Sequence, residues 1–449
     1  MKTIIIMIVI FIPHILFSQE NSPKLLEPLL IMEDIDSLIT TLKNVHPTFA
    51  YYYDEENLQV KIDSIKKGID KPISALEFFR IMQPLISIDG HTTLTYTDKI
   101  YPVFDNPFFP FKVIIHNKKI IIKENLRGIK SLQKGNEIQK INGVSSGKII
   151  QNLARYIPGE LEPNKLKKLE KRFHIFYRLV YGSFPEFNVC VNTREIKVPG
   201  AKWGDFKEPD KPKFELRFYD NDIAYIYKRS FKPPRDFLTF MDSAFTEISK
   251  RKIKFLIIDN LEGGGLTDLA DSLISYFTDN QYKLFDKKMT KISPLTNVFI
   301  ESKKSEGIVE NGFFVQEYST HSSNRKNLFN GQTIILNGPL SYSTATCFPA
   351  AAKCYKAAII VGEETGQPLV SNGDLNRFFL RNTNLACFTS LSKIYMSCNN
   401  DENEERGVVP DYEVKPTLDD LLDNKNYSLI YTLKLIRENR RNKLSKEKQ

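Results

Sequence analysis

The sequence of 449 residues is short of several features that would assign it a simple role. After Phe17 no apolar run reaches the roughly 20 residues needed to cross a bilayer, which excludes a polytopic helical membrane protein. Cysteine is scarce. The chain has five, an odd number, so they cannot all pair within one chain, and no Cys or His spacing matches a zinc site. No metal or other cofactor is expected. Charge of one sign does not dominate either. The formal net charge is +9, but the basic residues are spread along the chain among acids, a balance that favours solubility and not a nucleic-acid footprint. No nucleic-acid motif is found.

What is present begins with a leader. Met1-Lys2-Thr3 is a short positive segment, Ile4 to Phe17 an apolar core, and Ser18-Gln19 a small-residue exit, the pattern of a secretory signal peptide cut after Ser18. No cysteine stands at the cut, so a lipoprotein anchor is not indicated. The expectation is an exported protein, periplasmic or extracellular or associated with the cell envelope, with no membrane span left after cleavage; the alternative is an uncleaved N-terminal anchor. In such a compartment Cys387 and Cys398, which flank the turn-like Leu391-Ser392-Lys393, are expected to pair across a hairpin. Cys347 and Cys354 lie seven apart on a predicted helix, roughly 10 Å in rise, too far to bridge each other, and read as small core residues.

Leu25 to Leu85 has apolar residues at helical spacing, including Ile35, Leu38, Ile39, Leu42, Phe78, Phe79 and Met82. His46-Pro47 reads as a turn between helices, and His116 and His174 as bystanders. Val113-Ile114-Ile115 and Lys119-Ile120-Ile121-Ile122 flank His116-Asn117-Lys118 as a hairpin. From about Glu215 strands and helices alternate, which argues for parallel strands covered by helices. Phe285 to Asn327 reads as polar and irregular, a candidate insertion or lid. A last helix, Leu418 to Arg437, is expected to dock on the preceding domain, and the Lys/Arg-rich end to be a solvated tail.

Three segments carry chemistry. Thr333-Ile334-Ile335-Leu336 leads into Asn337-Gly338-Pro339-Leu340-Ser341-Tyr342-Ser343-Thr344, then into the Ala-rich Cys347 to Ala352: a buried strand, a tight turn and a helix opening at Ser343. A hydroxyl there sits beside free N–H groups and the positive end of a helix dipole. It can also simply cap the helix. Phe255 to Asp259 is a core strand ending at Gly263-Gly264-Gly265, where successive glycines let a backbone approach a ligand. Asp89-Gly90-His91-Thr92 places an imidazole, a base suited to neutral pH, directly after a turn.

In this chain order the three segments resemble the tail-specific (C-terminal processing) serine peptidase family, and most closely its tricorn-like branch, which has an Asp-Gly-His-Thr type segment. Ile359-Ile360-Val361-Gly362-Glu363-Glu364-Thr365-Gly366 and Gly407-Val408-Val409-Pro410-Asp411 extend the likeness to most of the chain. Leu132 to Val144, with Gly135-Asn136-Glu137-Ile138 and Ile141-Asn142-Gly143, resembles a PDZ-type segment. The resemblance implies an α/β protein with a crotonase-like catalytic domain, an N-terminal helical region and a small PDZ-like β domain. The boundaries expected are 1–18 signal peptide, 19–105 helical region carrying His91, 106–205 PDZ-like domain, 206–438 peptidase domain and 439–449 basic tail.

It implies Ser343 as nucleophile, His91 as base, and an oxyanion hole from the Thr344 N–H with that of Gly264 or Gly265. The family's other branch has a lysine base where this chain has Gln367, and an amide cannot take a proton from serine. A glutamate before the Gly-Val-x-Pro-Asp segment should polarise the site, and Glu404 is favoured with Glu405 next to it. Thr346, where the family has Glu, and Asn260-Leu261, in place of Leu-Arg, also depart from the pattern. The function expected is that of a serine endopeptidase acting on proteins or peptides. The alternative is a degenerate member that binds peptide or a hydrophobic ligand without cutting it.

Overall fold

The computed structural model describes residues 24–95, 107–323, 325 and 328–446. The expected signal peptide lies outside them. Helices Pro28–Val45, Phe49–Tyr52, Glu55–Lys67 and Ala75–Ile86 form the first unit. The first has a proline in its opening turn. The last is fixed by a capping box, in which Ser74 Oγ accepts the Glu77 N–H and Glu77 accepts the Ser74 N–H. Their inward faces, Ile31, Ile35, Leu38, Leu42, Phe78 and Met82, share one core with Leu380, Leu385 and Cys387 from far along the chain.

Residues 107–206 make a second unit with its own apolar core. The predicted hairpin is present, Phe111–His116 against Lys119–Asn125, with Ile115 opposite Ile120. Its turn residues Asn117 and Lys118 both have positive φ, the backbone that suits the strands' twist. Helices Ser146–Ala154, Glu162–Lys171 and Phe173–Tyr181 complete it.

The rest is built on a six-stranded sheet in the order Phe214–Tyr219, Ile223–Lys228, Phe255–Gly263, Gln332–Ser341, Ile359–Gly362, Tyr412–Glu413. The first pair is antiparallel and the others parallel. Helices Pro234–Lys250, Thr267–Ile274 and Thr344–Cys354 pack on one face. The terminal helix Tyr427–Lys446 covers the other through Leu429, Leu433 and Ile436. With both faces buried, the central strands read as continuous apolar runs. A second, antiparallel sheet contains Phe285–Lys291, Phe313–Glu317, Val370–Phe379 and Ala386–Met396.

Four expectations change. Phe285 to Asn327 is not irregular: it supplies strands of the second sheet, among them Phe285–Lys291. Its three lysines hide the alternation, and one of them, Lys288, is buried because its Nζ lies 3.1 Å from an Asp374 carboxylate oxygen. Leu391-Ser392-Lys393 is no turn but the middle of the straight strand Ala386–Met396. Cys387 therefore lies near its start and Cys398 just past its end, and a strand rising roughly 3.3 Å per residue holds them too far apart to bond. Cys398 instead bonds Cys354, with Cα atoms 5.7 Å apart, while Cys190, Cys347 and Cys387 are free and buried. The last helix is two, Leu418–Leu422 and Tyr427–Lys446. The latter's basic end is not wholly solvated, since Arg437 pairs with Asp220 and Arg440 with Asp220 and Asp222.

Candidate active site

The strand Gln332–Ser341 delivers Ser343 to the carboxyl edge of the parallel sheet, where helix Thr344–Cys354 begins. Ser343 has φ 58° and ψ −126°, a conformation that costs a non-glycine residue about 1–3 kcal/mol and persists only where the surroundings impose it. Its side chain makes no capping bond, so the simple capping role is not what it performs. Its N–H donates to Gln367 Oε1 at 2.7 Å, which leaves the following residue, Thr344, to present an amide at the first, unpaired position of the helix.

The glycine run lies directly alongside. Thr344 Oγ1 donates to the Gly265 carbonyl at 2.7 Å. An added Cβ at Gly264 would stand 3.1 Å from the Tyr342 carbonyl and 3.6 Å from Ser343 Cβ. Gly265 has φ 139°, and a side chain there would collide with the Phe231 carbonyl. Only glycine allows this approach.

His91 arrives from the first unit on a loop held by a buried carboxylate. Asp89 Oδ1 accepts the N–H groups of His91 and Thr92 at 2.9 and 2.6 Å, and Oδ2 accepts from His46 Nε2 and Ser390 Oγ, both at 2.8 Å. These donors hold the Asp89 carboxyl well below the usual carboxylate range against its own burial, with His46 the largest favourable partner. His46 is fully buried, and its Nδ1 accepts the Thr48 N–H at 3.2 Å.

The ring of His91 is oriented by a main-chain group. Its Nδ1 lies 3.0 Å from the Asn372 carbonyl oxygen. A carbonyl only accepts, so Nδ1 carries the proton and, in the neutral ring, Nε2 has the free lone pair. Burial pushes the imidazole below its ordinary pKa, with Asp89 opposing, which favours that neutral form. Gln367 Nε2 donates to the same Asn372 carbonyl at 3.2 Å. Where a lysine base would stand, this amide therefore joins the Ser343 backbone to the acceptor that orients His91.

Ser343, His91, Thr344, Gly265 and Gln367 line one cavity of about 220 Å³, walled by Leu266, Phe285, Cys347, Leu375, Ile394 and Met396. A wider cleft of about 660 Å³ shares Thr267, Phe285, Asp374 and Leu375 with it and continues past Lys288, Lys303 and Tyr318. Together they offer an extended groove ending at Ser343.

Glu404 is not brought to this cavity. It and Glu405 are exposed on the turn 401–406, and what the turn contributes is backbone, the Glu404 carbonyl accepting the Val370 N–H at 3.0 Å. Thr346 is buried and donates to the Ser341 carbonyl. Asn260 is buried too, donating to the Ala345 carbonyl at 2.7 Å and accepting from Lys228 Nζ at 2.7 Å, so it braces the first turn of the Ser343 helix. Both departures are thus structural supports. The residue that sequence reasoning missed is Asn372, which acts through its carbonyl and so leaves no mark on side-chain pattern. Asp89 left one: an Asp followed by amides two and three residues on is a recognised turn signal.

Residues 222–414 match the family described as Peptidase family S41. That stretch is a peptidase domain of the tail-specific protease family, and the protein is a serine-type peptidase whose substrates are peptides or proteins. No curated protein matches the chain. Among solved structures, mature CPAF complexed with lactacystin is similar over 92% of this chain and 98% of that one, with 14% identity and a TM-score of 0.65. A CPAF point mutant is similar over 88% and 94%, with 12% identity and the same TM-score. At such identities the likeness is one of fold. No helix among the described residues is long and apolar enough to cross a membrane.

Proposed function

We propose that the protein is an exported serine endopeptidase in which Ser343 is the nucleophile and His91 its base. The observation that carries this is the His91 ring, fixed by the Asn372 carbonyl with its basic nitrogen free, in the same cavity as Ser343. His91 Nε2 takes the Ser343 hydroxyl proton as Oγ bonds to the scissile carbonyl carbon. The electron pair moves to the carbonyl oxygen, facing the Thr344 N–H and that of Gly264 or Gly265. Collapse breaks the C–N bond and the amine leaves with the proton from His91. Water, deprotonated by the same imidazole, then releases the acyl group and restores Ser343. One such oxyanion donor is worth about 3 to 4 kcal/mol of barrier. The Asn372 carbonyl takes the orienting role that Glu404 was expected to fill.

The parallel sheet with helices on both faces supports a crotonase-like reading of the peptidase region, and the unit 107–206 is read as PDZ-like. Its edge strand Phe111–His116 could take an extended peptide, although the Ile115 N–H already donates to Glu170 at 3.1 Å. Export rests on the leader pattern.

The test is digestion of an unfolded protein and a peptide library by the wild type, Ser343→Ala and His91→Ala, read by mass spectrometry. Cleavage by wild type alone is expected. Equal silence from all three would favour the binding-only alternative.

A further inference from the structure

The catalytic pair is approached from behind by a third part of the chain. Residues 158–168 belong to the second unit, yet they press on the turn that carries Ser343. Asn164 is fully buried, and its Nδ2 donates to the Pro339 carbonyl at 2.7 Å. The same amide is packed so close to Gly366, the neighbour of Gln367, that a Cβ there would collide with it. Lys168 Nζ donates to the Pro158 carbonyl at 2.9 Å and lies 4.2 Å from the centre of the Tyr342 ring. Glu160 Oε2 accepts the Tyr342 hydroxyl at 2.8 Å.

Tyr342 is the residue between these contacts and the chemistry. It immediately precedes Ser343, and its ring centre lies 5.1 Å from that of His91. Gly90, the neighbour of His91, has no side chain, and one would collide with the Tyr342 hydroxyl. The phenol is therefore lodged between the His91 loop and Glu160. Burial raises the Glu160 carboxyl above its ordinary range, with nearby Asp89 adding to the effect and the Tyr342 hydroxyl and then Lys168 opposing it. Its second oxygen, Oε1, is buried without a hydrogen-bond partner among the described residues. Burying a carboxyl with one oxygen unsatisfied is costly, and the side-chain partner of its other oxygen among the described residues is the residue that packs against His91.

We propose that Glu160, acting through Tyr342, is a positioning residue for His91 and Ser343, so that the second unit completes the active site. The inference rests on the Ser343/His91 reading. A side chain displaced by about 1 Å can cost a hundredfold in rate, and the Tyr342 ring is the wall against which the imidazole is set. An amide oxygen at 160 would still accept from Tyr342; a methyl group would not.

The experiment measures the rate at which a fluorophosphonate probe labels Ser343, together with kcat and KM on a peptide that the wild type cleaves. The variants are Glu160→Ala, Glu160→Gln, Tyr342→Phe and the double variant Glu160→Ala/Tyr342→Phe, each checked for native circular dichroism. Glu160→Ala and Tyr342→Phe should each slow labelling and kcat by about tenfold to a hundredfold with KM within about twofold. Glu160→Gln should recover most of that loss, and the double variant should be no slower than the slower single one. Labelling of Glu160→Ala at the wild-type rate, losses that multiply in the double variant, or a change confined to KM would overturn the proposal. If Glu160→Ala does not fold, Tyr342→Phe and Glu160→Gln decide it by the same rates. A wild type that the probe does not label at Ser343 would instead remove the serine reading on which the proposal stands.

Discussion

Two acidic segments flank the peptidase site, and they behave in opposite ways. At 89–92 the one carboxylate, Asp89, is wholly buried and accepts from four donors, two of them main-chain amides of the His91 loop. At 401–405 the acids Asp401, Glu402, Glu404 and Glu405 are all exposed. The difference is one of dielectric surroundings and not of distance along the chain. A charge in water is screened by about an order of magnitude more than one in the interior, so the buried carboxylate fixes a loop while the exposed ones mainly keep the surface wet.

The contrast is sharpest where the Asp89 loop meets Ser343, the proposed nucleophile. Ser343→Ala or His91→Ala should lower kcat by about 10⁴-fold or more while leaving the thermal unfolding midpoint within a few degrees, measured by peptide hydrolysis beside calorimetry. Retained hydrolysis in either would break the assignment. Next in size is Asp89→Ala, which strands two amides, Ser390 and His46. A loss of about 3–5 kcal/mol is expected in urea unfolding. The sign of its pH dependence follows from the depressed carboxyl. Its stabilisation is present above the unfolded-state pKa near 3.9 and is lost as pH falls through the lower folded value. Asp89→Ala should therefore flatten the acid limb of stability below about pH 4.

How far the sequence disclosed all this depends on whether a feature is local. The Ser343 turn was legible because a strand, a Gly-Pro turn and an Ala-rich helix start are consecutive residues, and Asp89-Gly90-His91-Thr92 was legible for the same reason. The Cys354 to Cys398 bond was not. It is decided by the strand Ala386–Met396 running straight through what looked like a turn, and that depends on its partners Phe285–Lys291 and Val370–Phe379. Lys287, Lys288 and Lys291 masked a strand because the burial of Lys288 requires Asp374, more than eighty residues away. The Asn372 carbonyl could not be read at all, since every residue offers a main-chain carbonyl and only tertiary packing selects which one faces His91.

Gln367 tests whether the wired side of the site extends beyond His91. Gln367→Ala removes the acceptor of the Ser343 N–H and a donor to Asn372. A loss of about 1–2 kcal/mol, or about tenfold in kcat, is expected in steady-state assays, with KM nearly constant. The pH profile gives a smaller effect. On the proposed mechanism His91 must be neutral to accept a proton, and burial lowers its pKa. The acid limb of kcat/KM should thus fall below the ordinary histidine value near 6.5, and a limb at or above it would contradict the part-buried, carbonyl-bound ring.

The smallest effect should come from the exposed side. Glu404→Gln removes a charge that water already screens and leaves the main-chain bond from Val370 to the residue 404 carbonyl in place. Surface changes of this kind usually stay within about 0.5 kcal/mol, so kcat/KM is expected within about twofold of wild type at any salt concentration. A loss of a hundredfold would mean that the turn 401–406 folds inward when substrate binds and that Glu404 joins His91 only then. The same loss in Glu404→Gln but not in Glu405→Gln would identify which carboxylate moves, and the contrast between the two acidic segments would then hold only for the free enzyme.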